Sequence, residues 1–196
     1  YFNSFFQSSN SYIKLTTARS GNVIGGGDWA ADRIIPDCMK SWSNNESVNI
    51  RNPTSTRPWQ HVLETLRGYL LIGQNLYNQN VKHGEAYNFG PPLNQKNYSV
   101  GDLINELSKH WNKVKWKDIS KNNEKFYESK LLKLNCEKAL KDLNWKSILS
   151  FEEAVKMTID WYINYYNNSE LSTYEYTVSQ IEEYSQLLKT RDLSRN

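Results

Sequence analysis

The chain has 196 residues, a formal charge of +3, 38% apolar and 23% charged side chains, which excludes a disordered chain and, because its cations are dispersed among acids, a strongly basic nucleic-acid binder. Cys38 and Cys136 lie far apart, and His61, His83 and His110 complete no metal-ligand spacing. No apolar run approaches the ~18 residues of a membrane span and Tyr1–Phe6 lacks the basic and cleavage regions of a signal peptide, so the expectation is a reduced, metal-free, cytoplasmic protein without nucleic-acid or membrane partners, and, since it starts at Tyr1 rather than Met, a fragment.

In chain order, the aromatic residues Tyr1, Phe2, Phe5 and Phe6 recur at helical spacing, so residues 1–8 are expected to close a helix. Tyr12 to Ala18 alternates with β-branched residues and predicts a buried strand running into a glycine loop. Asp32 is placed to cap a helix containing Ile34, Ile35, Met39 and Trp42, with Pro36 in its first turn and Asn44-Asn45 at its end. Val48-Asn49-Ile50 reads as a short strand, and Asn52 to Thr56 as a turn leading to Arg57-Pro58-Trp59-Gln60-His61. Val62 to Tyr77 predicts a helix with Leu63, Leu66, Tyr69, Leu70, Gly73 and Leu76 on its buried face. Ala86 to Phe89 follows as a strand stopped by Gly90-Pro91-Pro92, then a helix from Ser99 to about Trp111 and a strand from Val114 to Ile119. Asn135 starts the next helix, Phe151 to Tyr166 forms an amphipathic one, and a last helix follows Ser172. Alternating early strands and helices favour an α/β arrangement whose first strands sit at the edge of a larger parallel sheet.

The loop Gly21-Asn-Val-Ile-Gly-Gly-Gly-Asp-Trp29 poses the question of function. A dinucleotide turn needs G-x-G-x-x-G and an acid about 20 residues later; here the pattern is G-x-x-x-G-G-G and no such acid follows. A phosphate loop of the Walker type is excluded because no Lys-Ser or Lys-Thr follows the glycines. The loop alone is compatible with a tight strand-to-helix turn. Its company includes Asn22, Arg33, Arg51 and Arg57, all at element ends, where guanidinium forks are able to converge on phosphate oxygens.

Four segments carry a resemblance: Ala18-Arg-Ser-Gly-Asn-Val-Ile-Gly-Gly-Gly-Asp-Trp29, Asp32-Arg-Ile-Ile-Pro-Asp37, Ile50-Arg-Asn-Pro53 and Thr56-Arg-Pro-Trp-Gln-His-Val62. With Gly68-Tyr-Leu70, Tyr87-Asn-Phe-Gly90 and Asp160-Trp-Tyr162, the chain from residue 1 to about 166 resembles the CDP-glucose 4,6-dehydratase family, extended short-chain dehydrogenase/reductases acting on nucleotide sugars. The resemblance implies the edge of a Rossmann-type parallel sheet plus a small mixed α/β substrate-binding domain. It divides the chain into residues 1–30, the end of the dinucleotide-binding domain, residues 31–168, mainly the substrate part, and residues 169–196, a helical tail. It also implies that the cofactor loop, the Tyr-x-x-x-Lys pair and the acid/base residues precede this stretch; no Tyr-x-x-x-Lys occurs in the sequence, so no catalytic residue is assigned.

Carried over by position, Ser20 and Gly21 would lie beside the nicotinamide of NAD, and Asn22 would contact the sugar nucleotide, CDP-glucose. Arg33 and Ile34 would flank the substrate, and Val48, Asn49, Ile50 and Arg51 would pass along the cytidine. Arg57 would hold the diphosphate, with Asn88 hydrogen-bonding nearby and Glu128 contacting the ligand. The glycines would let backbone approach both ligands, closing the loop over the cofactor's reactive end and the substrate diphosphate. Where the family shows His-Glu and Leu-Asp, this sequence has Tyr127-Glu128 and Leu134-Asn135. The whole enzyme is expected to be a homodimer that makes a 4-keto-6-deoxy sugar nucleotide for surface polysaccharide. A nucleotide-sugar epimerase on the same scaffold is a competing reading; so is a non-catalytic glycan- or nucleic-acid-binding module, prompted by thirteen tyrosines and seven tryptophans. His61, beside Trp59, reads as a packed, hydrogen-bonded residue more readily than as a catalyst.

Overall fold

The computed structural model describes residues 2–7, 13–122, 133–167 and 170–193. The expected α/β architecture is present, with strands and helices alternating through most of the described chain. Strand β1 (Thr17–Ser20) pairs in parallel with β6 (Ala86–Phe89), and β2 (Asn22–Ile24) with β5 (Trp59–His61). A third parallel pair joins β3 (Val48–Ile50) to β8 (Trp116–Asp118), and an antiparallel pair joins β4 (Thr56–Arg57) to β7 (Tyr98–Ser99). Gly21 N–H donates to Phe89 O at 3.1 Å, and the buried Gln60 side chain donates to the same oxygen at 2.9 Å. These two bonds lock the β1/β6 pair to the β2/β5 pair.

The first expected helix is shorter than the spacing suggested: Phe2–Phe6 forms one π-helical turn, and Tyr1 and residues 8–12 lie outside the described residues. His83 holds that turn in place, with Nε2 2.6 Å from Phe6 O and Nδ1 accepting from Leu15 N–H at 2.8 Å. The first strand lies at Thr17–Ser20, later than the predicted Tyr12 to Ala18. Helix α1 (Ile34–Ser43) contains the predicted Ile34, Ile35, Met39 and Trp42; it buries the last three together with Cys38, while Ile34 is half-buried. Its N-cap is Arg33 in extended conformation, not Asp32, which has φ 63° and cannot occupy a capping geometry.

Helix α2 (Val62–Tyr77) has the predicted bounds but a different buried face. Glu64, Thr65, Gly68 and Ile72 point inward, while Leu66, Tyr69, Leu70 and Gly73 are exposed and Leu63 and Leu76 half-buried. Close packing explains the correction. A Cβ on Gly68 would lie 2.5 Å from the Phe89 ring, so the helix can seat against β6 only along the face that carries this glycine. Helices α3 (Val100–Ser108) and α5 (Phe151–Tyr166) both start with a reciprocal capping box, Ser99 with Asp102 and Ser150 with Glu153. Helix α4 (Glu137–Leu143) begins where Asn135 Oδ1 accepts from Glu137 N–H at 2.8 Å.

The largest core joins α1, α3 and α5 through Trp42, Leu103, Ile104, Leu107, Val155 and Ile159. A second core gathers Tyr87 and Phe89 of β6 with Ile72 and Trp145. Helix α6 (Thr173–Leu193) packs along α5: Gln180 donates to Met157 O at 2.6 Å, and Arg191 pairs with Glu153 at 2.5 Å.

Candidate functional site

Parallel pairing brings the C-terminal end of β1, strand β2 and the entrance to α1 onto one wall. An open groove of about 560 Å³ runs along that wall, lined by Ser20, Gly21, Asn22, Arg33, Ile34 and Arg57, with Asp28, Asp32 and Trp59 among its other walls. Six residues carried over from three separate sequence segments therefore share one concave surface, of a size that suits a small-molecule ligand. Val48, Asn49, Ile50 and Arg51 line neither this groove nor the cavity described below; Ile50 is core, paired to Asp118. Asn88 points at the α4 entrance, its Nδ2 donating to Asn135 O at 3.0 Å. Tyr127 and Glu128 lie outside the described residues.

The close approaches that the glycines permit are made by the protein itself. A Cβ at Gly21 would stand 2.6 Å from Pro58 O, and one at Gly26 2.0 Å from Trp161 Cγ. Gly27 has φ 76°, which lets the chain turn into Asp28. The loop is thus seated on Pro58, Val62 and Trp161 on its inner side, leaving its outer side as groove wall.

Arg57 belongs to both the groove and a second, smaller cavity lined by Trp59, Pro91, Pro92, Lys96, Tyr98 and Lys133. Its Nη1 donates to Thr56 O at 2.8 Å, and Trp59 Nε1 donates to Tyr98 O at 3.2 Å, fixing the strand on either side of the buried Pro58. Lys96 sits over the Tyr98 ring, 5.1 Å from its centroid, and Lys133 donates to Leu93 O at 2.7 Å. Sequence reading missed both lysines, since neither stands in a motif; only the antiparallel β4/β7 pair brings residue 98 beside residue 57.

His61 is 2% exposed, caps α2 by accepting from Leu63 N–H, and burial pushes its imidazole down to about 4. It is a neutral, packed residue. Among the described residues no group of three or more His, Cys, Asp or Glu converges to hold a metal ion, and no helix is long and apolar enough to cross a membrane.

The fold is one shared by solved nucleotide-sugar epimerases. Solved structures with this fold include a UDP-glucuronic acid 4-epimerase from Bacillus cereus in complex with UDP-glucuronic acid and NAD (TM-score 0.64, 19% identity, covering 80% of this chain and 47% of that one). Another is a UDP-glucose 4-epimerase from Stenotrophomonas maltophila with bound NAD and formylated UDP-arabinopyranose (TM-score 0.66, 16% identity, 80% and 50% covered). The model of the GDP-mannose 4,6 dehydratase family matches residues 26–158, and the chain belongs to that family. It is also 40% identical over 164 residues to the CDP-glucose 4,6-dehydratase of Salmonella typhimurium, covering 82% of this chain and 45% of the relative. The chain spans about half the length of the relatives it matches.

Proposed function

We propose that this chain forms the substrate-binding half of an NAD-dependent CDP-glucose 4,6-dehydratase, the enzyme that converts CDP-D-glucose to CDP-4-keto-6-deoxy-D-glucose. One observation carries the reading: Arg57 is shared by two cavities, and the larger holds Ser20, Asn22 and Arg33. A diphosphate held at Arg57 would send the hexose toward Asn22 and the nucleoside toward the cavity of Tyr98, Lys96 and Lys133. Identity of 40% to a dehydratase favours dehydration over epimerisation.

The reaction would oxidise carbon 4 of the glucose, eliminate water across carbons 5 and 6 and reduce carbon 6. When bound, NAD supplies the hydride acceptor and donor. Gly21 and Ser20, whose Oγ lies 3.0 Å from Tyr69 Oη, line the groove and would lie along one edge of the nicotinamide. Arg57 and Arg33 would neutralise the phosphates, and Asn22 would fix the sugar. Nucleotide binding energy would hold the hexose in reacting geometry.

In the chain joined to the N-terminal half of the Salmonella relative, Arg57→Ala is expected to weaken CDP-glucose binding by about 1.5 to 3 kcal/mol, the range for hydrogen bonds to charged groups. Arg57→Lys should recover only part, since an ammonium cannot reproduce the planar fork. NAD affinity should hardly change. Titration calorimetry with both ligands checks this: equal losses for the two would indicate a folding defect, and no loss for either would remove Arg57 from the site.

The 196-residue chain supplied with NAD and CDP-glucose is expected to make no 4-keto sugar, because it holds no Tyr-x-x-x-Lys pair. Joined to the N-terminal half of the Salmonella relative, it should gain that activity. Turnover by the chain alone, followed by absorbance of the keto product in alkali, would contradict the assignment.

A further inference from the structure

One carboxylate in the groove, that of Asp28, has no part in the roles assigned so far. Asp28 and Arg33 both line the groove, and Arg33 Nη1 lies 3.4 Å from Asp28 Oδ2. The two differ in how firmly they are held. Asp28 is fixed at two points: its backbone O accepts from Tyr162 Oη at 2.7 Å and its Oδ1 accepts from Ala30 N–H at 3.0 Å, and two residues earlier Gly26 is seated on Trp161. Tyr162 is fully buried in α5, so the Asp28 backbone is tied to the main core. Arg33, by contrast, precedes α1 in extended conformation with a side chain 65% exposed, and its guanidinium pairs with Asp28.

We propose that Asp28 is a positioning residue for Arg33: a rigid carboxylate that holds one edge of the guanidinium and presents the remaining N–H donors to an anionic group of the ligand in the groove. A guanidinium carries five donors in a planar fork, so one edge bound to a carboxylate leaves others directed outward. An unanchored arginine loses side-chain freedom on binding a phosphate, and prior anchoring removes part of that cost. The carboxylate also adds a negative charge near the ligand. Its pairing with Arg33 offsets that charge, which makes the effect of Asp28 conditional on Arg33. This inference rests on the reading of the groove as a nucleotide diphosphate-sugar site.

The test is a double-mutant cycle read by calorimetry with CDP-glucose, using the full chain. Asp28→Asn keeps an acceptor for Ala30 N–H, so the turn is retained, but loses the charge that holds Arg33. It is expected to weaken binding about 3- to 10-fold in the wild-type background and to cause no loss, and rather a gain, in an Arg33→Ala background, where nothing offsets the carboxylate's charge. Asp28→Glu should restore part of the affinity, which a purely structural turn residue would not require. Thermal melting should be unchanged in Asp28→Asn. Tighter or equal binding by Asp28→Asn in the wild-type background, or the same loss with and without Arg33, overturns the inference even if Arg57→Ala behaves as expected. If the wild-type chain fails to bind CDP-glucose at all, the reading of the groove and this inference fall together.

Discussion

Glu64→Ala is expected to destabilise the protein by at least about 3 kcal/mol, from about 1 to 3 kcal/mol for each buried donor left without a partner. Glu64 is 1% exposed in the first turn of α2 and joins three parts of the chain. Its Oε1 accepts from Ile148 N–H at 2.6 Å and Leu149 N–H at 2.8 Å, and its Oε2 lies 2.8 Å from Tyr184 Oη of α6. Alanine would strand all three groups in a region that water does not reach. A small domain has only about 5 to 15 kcal/mol in total, so the variant should be close to unfolding at ordinary temperature. Glu64→Gln, which keeps an oxygen for the two amides, should cost less.

The same residue gives a pH dependence of defined sign. Burial raises the Glu64 carboxyl above its ordinary value of 4.5, more than the amides, Tyr184 and Arg67 lower it. Protonated, the group still accepts both amides at Oε1 and donates from Oε2 to Tyr184. Its folded form therefore binds the proton more tightly than the unfolded form does. The resulting stability is fully present below 4.5 and is lost as pH rises through the raised folded value. Denaturant melts across that window should show a decline in the wild type that is absent in Glu64→Gln. A Glu64→Ala variant within about 1 kcal/mol of wild type, below the range for a stranded donor, would mean that water reaches these groups.

Local pattern made some of this architecture legible and concealed the rest. Helix α2 was readable to its terminal residues because Val62 to Tyr77 contains no breaker except two glycines. Its orientation was not, because apolar residues occur on both faces and only the Phe89 ring selects the side bearing Gly68. Asp32 has the composition of an N-cap, yet the turn from Gly27 to Arg33 places it at positive φ and leaves the capping position to Arg33. The groove residues Ser20 to Asn22, Arg33 and Arg57 were legible through their loops and their family likeness. Glu64, Lys96 and Lys133 were not, since each acquires its role from chain 30 or more residues away: Ile148 for Glu64, Arg57 for Lys96, and Leu93 for Lys133. The glycine run signals close approach but not by what, and here Val62 and Trp161 make it.

That contact yields the second large effect. Trp161→Ala is expected to cost about 3 to 5 kcal/mol, as for other buried aromatic truncations. Trp161 is 9% exposed, stacks on Tyr165 with centroids 5.8 Å apart and planes 8° from parallel, and meets Tyr162 edge-on at 5.4 Å. Its Nε1 donates to Thr177 Oγ1 at 2.8 Å, so truncation also loosens α6 from α5. The complementary change, Gly26→Ala, drives a methyl to within 2.0 Å of the Trp161 ring and 2.6 Å of its Cβ. Overpacking of this kind costs about 1 to 3 kcal/mol and sometimes more; because a Cβ is among the clashing atoms, side-chain rotation alone cannot relieve it. The loop has to lift, carrying Asp28 and the groove wall with it. Gly26→Ala should therefore weaken CDP-glucose binding as well as stability, whereas Trp161→Ala leaves Gly26 its space. In the Trp161→Ala background, Gly26→Ala should cost no more than about half of its single-mutant value, because the ring is gone but the Cβ at position 161 remains, and contacting pairs are not additive. Strictly additive losses in denaturant melts would show that the loop does not rest on the Trp161 ring in solution.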